Sequence, residues 1–360
     1  MPAVTGPLLR QLPGKVAIVS YRLGGTDGVS IEAAKWKRAF EQLGSAVTTI
    51  AGVGSADVLV EGLAHDSTQS VDRAGLHAAL LPAELVVVEN CCSLPLNPAA
   101  GDAIGDELKG RPALLHHHDL SWQRPQFGDA GVPRDDPCWR HVTINERSRI
   151  ELGARGLRAV TMYNRFDPDP PAGEREATRS ALGMGDGQRL LLQPTRAIAR
   201  KNVAGGLLCA RAIGAVYWLL GPAEDGYGPE LERLFRAGRA SGMQIVHRAP
   251  EGTSIDDAYA ACDAVVLPST WEGFGNPAIE SALRRRPLAI GPYPVSLELR
   301  RYGFSWFSLA DSVKLARFVE NPDADLLEHN AEIARIRFST DDLPSALSEL
   351  LTQSYPGGHE

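Results

Sequence analysis

The chain has 360 residues, 44% of them hydrophobic and 22% charged, an ordinary balance for a folded protein long enough to hold two domains. Its formal net charge of −7 is mild, with 17 basic and 18 acidic residues up to Arg165 and 20 and 26 beyond it. Neither half is a polycation, which argues against nucleic acid as a main partner and against a strongly basic membrane-binding face.

Short runs rich in Val, Ile and Leu alternate with amphipathic stretches, the pattern of βαβ units around a mainly parallel sheet. In chain order, strands are predicted at "KVAIVSY", "AVTTIAG", "ELVVVEN", "PALLHHH", "HVTIN" and "AVTMYN". A helix fits "VSIEAAKWKRAFEQLG", where Val29, Ala33, Trp36, Phe40 and Leu43 recur at helical spacing and Gly44 stops it. Residues 166–173, "FDPDPPAG", hold too much proline for a strand or helix interior and read as a linker. The alternation then restarts, with strands at "RLLLQPT", "AVYWLLG", "MQIVHRA", "AVVLPS" and "PLAIG". A terminal helix in "DDLPSALSELLTQ" carries Pro344 in its first turn. The expected organisation is a Rossmann-like domain over 1–165, the linker, a second Rossmann-like domain over 174–340, and a helix and tail over 341–360 that packs back on the first domain. Two doubly wound domains of this kind collect ligands in a cleft at the carboxyl ends of their strands.

The five cysteines include the adjacent pair Cys91 and Cys92 and show no C-x-x-C spacing, so they read as thiols of a reducing compartment. No apolar run reaches the roughly 20 residues of a membrane span, and no signal peptide is apparent, so a cytoplasmic location is expected.

Chemistry concentrates in four places. In "STWEGFGNPAIE", residues 269–280, Glu272 and Glu280 flank a turn that follows the strand "AVVLPS". Asn276 is expected to cap a helix opened by Pro277, and Gly273 and Gly275 let the backbone approach a ligand closely. Two carboxylates for hydroxyls, with helix-start donors between them for phosphate, suit a sugar joined through diphosphate to a ribose. The second place is "QPTRAIARKN", residues 193–202, with the cations Arg196 and Lys201 after a strand. The third is "LLHHHDLSWQR", residues 114–124; strand alternation lets at most two of His116, His117 and His118 face one side, so a metal site is not expected. The fourth is "GGTDGVS", residues 24–30, a glycine turn that fits neither a dinucleotide fingerprint nor a P-loop.

The stretch from Glu272 to Glu280 resembles the E-x7-E signature of retaining glycosyltransferases of the GT-B fold, especially glycosyltransferase family 4. The resemblance covers residues 15 to 350, roughly, and implies two Rossmann-like doubly wound α/β domains facing a central cleft. It implies that Glu272 contacts donor-sugar hydroxyls and Glu280 the ribose, while the backbone of Gly273, Phe274, Gly275, Asn276 and Pro277 meets sugar and diphosphate. Arg196 and Lys201 resemble the family's Arg-x4-Lys pair, which neutralises the diphosphate leaving group without a metal. Thr195 and Asn202 replace glycines of that motif, and Asn202 tolerates the left-handed region.

By the same resemblance His118, with Gln123 five residues on, lies near the donor sugar, and Gly24 and Gly25 face diphosphate and acceptor. Asp119, Trp122, Arg124 and Asn164 are candidates on the acceptor side; Asn164 and Asp167 match an N-G-x-D segment in which Arg165 replaces the glycine. The expected activity is metal-independent, retaining transfer of a hexosyl group from a UDP- or GDP-sugar to the hydroxyl of a soluble, glycan or lipid-linked acceptor, with no cofactor. The alternatives are an epimerase or phosphorylase of the same fold, or a nonenzymatic nucleotide-sugar binding protein.

Overall fold

The computed structural model describes residues 6–128 and 130–354. The chain divides into two compact units, one formed by residues up to Arg165 together with those from Thr340, the other by Phe166–Ser339. The last six residues of the expected tail lie outside the described residues.

The first unit holds a seven-stranded sheet. Its strands are β1 (Lys15–Leu23), β2 (Ala46–Gly54), β3 (Val58–Leu59), β4 (Leu85–Glu89), β5 (Ala113–His117), β6 (Trp139–Thr143) and β7 (Ala159–Thr161). They lie in the order β3-β2-β1-β4-β5-β6-β7, and every pairing is parallel. Strands β4, β5 and β6 are buried at all five positions, as expected where helices cover both faces of a parallel sheet. The helix Gly28–Gln42 starts where the Asp27 carboxylate accepts the Ser30 amide, and the chain turns out of it at Gly44, whose φ is 90°. That helix buries Ala33, Trp36, Ala39 and Phe40.

The terminal helix Leu343–Thr352 shares this core, with Leu343, Leu347, Leu350 and Leu351 packed among Val16, Ile18, Trp36 and Phe40. Arg140 of β6 fastens the same helix. Its buried guanidinium donates to the carbonyls of Gln353 at 2.7 Å and Gly6 at 2.9 Å, and to that of Leu350.

The second unit repeats the plan with six parallel strands: β8 (Arg189–Gln193), β9 (Ala215–Leu219), β10 (Ile245–His247), β11 (Ala264–Leu267), β12 (Leu288–Ile290) and β13 (Phe307–Ser308). Their order is β10-β9-β8-β11-β12-β13. In each sheet the winding direction reverses beside the unit's first strand, between β1 and β4 and between β8 and β11. Such reversals leave a crevice at the carboxyl ends of the two strands, where open α/β sheets take their ligands.

Sequence reading omits β3 and β13, because two residues carry no periodicity. Residues 167–173 form neither helix nor strand, but Phe166 is a structural part of the second unit. Its amide donates to the Phe338 carbonyl at 2.7 Å and its ring stacks on Phe274 with centroids 6.0 Å apart. All five cysteines are free thiols, Cys92 and Cys138 only half buried. Among the described residues no helix is long and apolar enough to cross a membrane.

Arg140→Met should lower the unfolding free energy by about 2 kcal/mol, the scale of a lost charged hydrogen bond. A shifted urea midpoint reports it; an unchanged midpoint means that the terminal helix is held by its leucines alone.

Candidate active site

On the second unit, the loops after β8 and β11 are stitched together by hydrogen bonds to backbone carbonyls. The Thr270 amide donates to the Arg200 carbonyl at 2.9 Å, and the Asn202 side-chain amide to the Pro268 carbonyl at 3.1 Å. Asn202 sits at φ 49°, ψ 56°, the left-handed region foreseen for it, and its Oδ1 caps the helix Val203–Ile213 through the Gly205 amide.

This stitching delivers Lys201 to Glu272. The ammonium lies 2.5 and 2.6 Å from the two carboxylate oxygens, the Arg200 guanidinium donates to Oε2 at 3.1 Å, and the Ser269 hydroxyl to Oε1 at 2.6 Å. Lys201 and Glu272 are both buried. Burial pushes the Glu272 carboxyl upward, but Lys201 and Arg200 outweigh it and hold the group below the usual carboxylate range. Burial, together with neighbouring Arg200, pulls the Lys201 ammonium down against the attraction of Glu272. Two cations share one carboxylate here, leaving a surplus positive charge at the carboxyl edge of β8 and β11, suited to an anion.

Arg196 is placed differently. Its guanidinium pairs with Glu224 at 2.5 Å, so the cation that joins Lys201 at Glu272 is Arg200. The Arg-x4-Lys spacing drew attention past Arg200, although its place beside Lys201 was the available signal. Glu280 accepts a hydrogen bond from the Tyr259 hydroxyl at 2.8 Å, a partner that no spacing suggested.

The turn between the two glutamates corrects one expectation. Asn276 is the first residue of the helix Asn276–Leu283, not its cap; the cap is Gly275, at φ 95°, ψ 58°, with Pro277 in the first turn. A Cβ on Gly275 would lie 2.0 Å from the Tyr293 hydroxyl, which itself donates to the Phe274 carbonyl at 3.3 Å. Only glycine satisfies both the left-handed backbone and that contact. The Phe274 ring is buried against Phe166 and Phe338, so ligand contact at this residue falls to its backbone. Gly273 is half buried in the same turn.

On the first unit, the expected alternation along β5 holds. His116 and His118 converge on one oxygen of Glu89, at 2.9 and 2.6 Å, while His117 faces the other way and meets His141 at 2.8 Å. Glu89, the last residue of β4, is fully buried and escaped sequence reading because it closes an apolar run. Burial would raise its carboxyl, yet His116 and His118 bring it down to about 2. Burial would lower His118, and Glu89 more than reverses that, with Glu32 and Asp119 contributing. His117 is driven well down by burial.

Asn90, at φ 66°, accepts the amides of both His118 and Asp119 at 3.1 Å and so fixes the loop after β5. Asp119 pairs with Arg124 at 2.7 Å. Trp122 and Gln123 turn to the helix Glu146–Gly153: both donate to Glu151, at 2.9 and 2.8 Å, and Gln123 also donates to Ser148. Their polar groups hold the loop in place.

Gly24, at φ 77°, packs against Ser55, where an added Cβ would lie 2.5 Å from the serine Cβ, and Gly25 follows in the same turn. Asn164 is buried in the first unit, and Asp167 is exposed in the second.

Among the described residues, Glu89, His116 and His118 are the one group close enough to hold a metal ion. Their separations of 2.6 and 2.9 Å are hydrogen-bond lengths. Ligands 2.0–2.1 Å from one zinc would stand roughly 3.3 Å apart.

Comparison with solved structures decides the architecture. Anabaena HepE, in complex with UDP and glucose, superposes with a TM-score of 0.73 at 18% identity, covering 94% of this chain and 99% of its own. The fold is GT-B. Among curated proteins, the chain is similar to mannosylglucosylglycerate synthase of Thermotoga maritima, 26% identical over 93% of this chain and 99% of the relative. The Petrotoga mobilis protein of the same name is 23% identical over 91% and 94%. No protein-family model matches the chain.

Lys201→Met strands a buried carboxylate with Arg200 alone and should cost about 3 kcal/mol of stability, while Lys201→Met combined with Glu272→Leu should recover most of it. Urea unfolding of both reads the difference, and equal losses would contradict the pairing. Glu89 contributes stability that is present above pH 4.5 and lost as pH falls toward 2. Glu89→Gln should therefore flatten the acid side of the stability profile, measured by unfolding at stepped pH.

Proposed function

We propose that the protein is a glycosyltransferase that moves a hexosyl group from a nucleotide sugar to an acceptor hydroxyl with retention of configuration and without a metal, in the manner of glycosyltransferase family 4. The observation that carries this reading is the surplus positive charge built by Lys201 and Arg200 around Glu272 at the β8/β11 switch point. A departing nucleoside diphosphate gains negative charge as the glycosyl bond breaks, and cations already fixed in place stabilise it without reorganising. Similarity to proteins named mannosylglucosylglycerate synthase and to a structure holding UDP and glucose supports a UDP- or GDP-sugar as donor.

The second unit takes the donor. Lys201 and Arg200, joined by Arg196 once the ligand competes with Glu224, meet the diphosphate, and the turn from Gly273 to Pro277 lies against sugar and phosphate through its backbone. Glu280 accepts from the ribose with the oxygen that Tyr259 leaves. Glu272 orients Lys201 and Arg200 and receives a sugar hydroxyl. Neither glutamate is a nucleophile in this reading: the acceptor attacks on the face that the diphosphate leaves, and a diphosphate oxygen takes its proton. The acceptor is held by the first unit, with Asp119, Arg124 and Asn164 at or near the carboxyl ends of its strands, while His118 keeps the role near the donor sugar, and Gly24 and Gly25 the role toward diphosphate and acceptor, that the family resemblance implies.

A thermal-shift screen of UDP-, GDP- and ADP-sugars should single out one donor, which at about 100 times its Kd adds about 2.7 kcal/mol of stability. With that donor, Glu272→Gln should lower kcat about 10²- to 10³-fold while nucleotide binding persists. Proton NMR of the product gives the anomeric configuration, and assay in EDTA tests metal independence. An inverted product, or activity abolished by EDTA and restored by a divalent ion, overturns the corresponding part of the reading.

A further inference from the structure

The carboxyl edge of the first unit holds a buried carboxylate, Glu89, to which the transferase reading gives no part. Glu89 is wholly buried and accepts both of its histidines on one oxygen, while its other oxygen, Oε1, has no partner. The other charges facing the cluster are matched. On the helix Gly28–Gln42, buried Glu32 pairs with Lys35 at 2.5 Å, and on the loop after β5, Asp119 pairs with Arg124 at 2.7 Å. His117 lies on the opposite face of β5 with His141, whose far nitrogen meets Asp135. Among the described residues, the two imidazoles are therefore what answers the Glu89 charge.

The imidazoles differ. His116 stacks on Trp36 at 4.2 Å between centroids, is 1% exposed, and its Nε2 has no hydrogen-bond partner. Its Nδ1 is turned to the Glu89 oxygen at 2.9 Å, so His116 is committed to the carboxylate and seals that side of it. His118 spends Nε2 on the same oxygen at 2.6 Å, and among the described residues nothing hydrogen-bonds its Nδ1, which is not among the sealed, unpartnered atoms. Its backbone is held by Asn90 and its ring by the bond to Glu89.

We propose that Glu89 is a positioning residue that keeps His118 doubly protonated, with its Nδ1–H left as a charged hydrogen-bond donor to a hydroxyl or phosphate oxygen of the ligand. The buried Glu89 cannot touch that ligand; it acts through His118, and His116 completes the carboxylate's hydrogen bonding. A proton is held here, not transferred. The inference rests on the transferase reading only for the identity of the ligand, and its location rests on the β1/β4 switch point, where β4 ends in Glu89.

Imidazole ¹⁵N NMR tests the protonation part without any assay. His118, assigned by its loss in His118→Asn, should be doubly protonated at pH 7 in the wild type and singly protonated at that pH in Glu89→Gln. Equal His118 titration in the two proteins, or a neutral His118 in the wild type at pH 7, overturns the proposal. With a UDP-sugar donor, kcat should fall as pH rises through the His118 midpoint. Glu89→Gln should move that fall to lower pH and reduce kcat at pH 7 about ten- to a hundredfold with little change in KM, the range expected for a charged hydrogen bond. Glu89→Asp, which keeps the charge, should restore part of the wild-type profile. A kcat that instead rises through the same midpoint would mean that neutral His118 acts as a general base, and would overturn the proposal. The NMR result without sugar-nucleotide turnover would leave the role of Glu89 standing and remove the transferase reading.

Discussion

A carboxylate taken out of water must find compensating charge inside the fold, and among the buried carboxylates of the described residues Glu89 and Glu272 do so at equivalent places. Glu89 ends β4 and Glu272 follows β11, each the strand just across the reversal of winding in its own sheet. In each unit the partners come from the carboxyl end of a neighbouring strand: His116 from β5 and His118 just after it, Lys201 and Arg200 from the loop after β8. A buried ion pair gains little in net stability over an apolar pair of the same shape. What it does impose is position. Each carboxylate fixes where a cationic group points, and that group lies where a parallel sheet gathers its ligands.

The two clusters differ in chemistry. Around Glu272 the partners are a lysine and an arginine, two cations to one carboxylate, a field suited to an anion. Around Glu89 the partners are imidazoles, whose charge depends on the carboxylate itself. The first arrangement rests on an ammonium and a guanidinium around one carboxylate, while the second is built from imidazoles hydrogen-bonded to theirs. The glycines serve this plan indirectly: Gly275 lets the chain enter the helix Asn276–Leu283 under Tyr293, and Gly24 lets the turn after β1 pass close to Ser55.

Much of the fold was legible because buried parallel strands read as unbroken apolar runs, and β4, β5 and β8 stand out as such. Asn202 and the opposed facing of His116 and His117 were legible too, since both follow from local backbone geometry. What was not legible depends on contacts distant in sequence. Nothing near Glu89 announces that two histidines 27 and 29 residues later will reach it. Arg200 was hidden beside a better-known spacing, and Tyr259 and Glu224 carry no pattern. The cap at Gly275 was missed by one residue, because Asn276 has the side chain of a cap while the Tyr293 hydroxyl decides the backbone.

The return of the terminal helix to the first unit makes the second unit an insertion, with its ends side by side: Phe166 pairs with Ser339 as an isolated bridge. During synthesis the first unit therefore lacks four leucines of its core until the last helix has left the ribosome. The inserted unit is one contiguous stretch, complete by Ser339, whereas its host is assembled from two stretches of chain. The residues of the second core are thus complete before those of the first, which is closed by the ten-residue helix Leu343–Thr352.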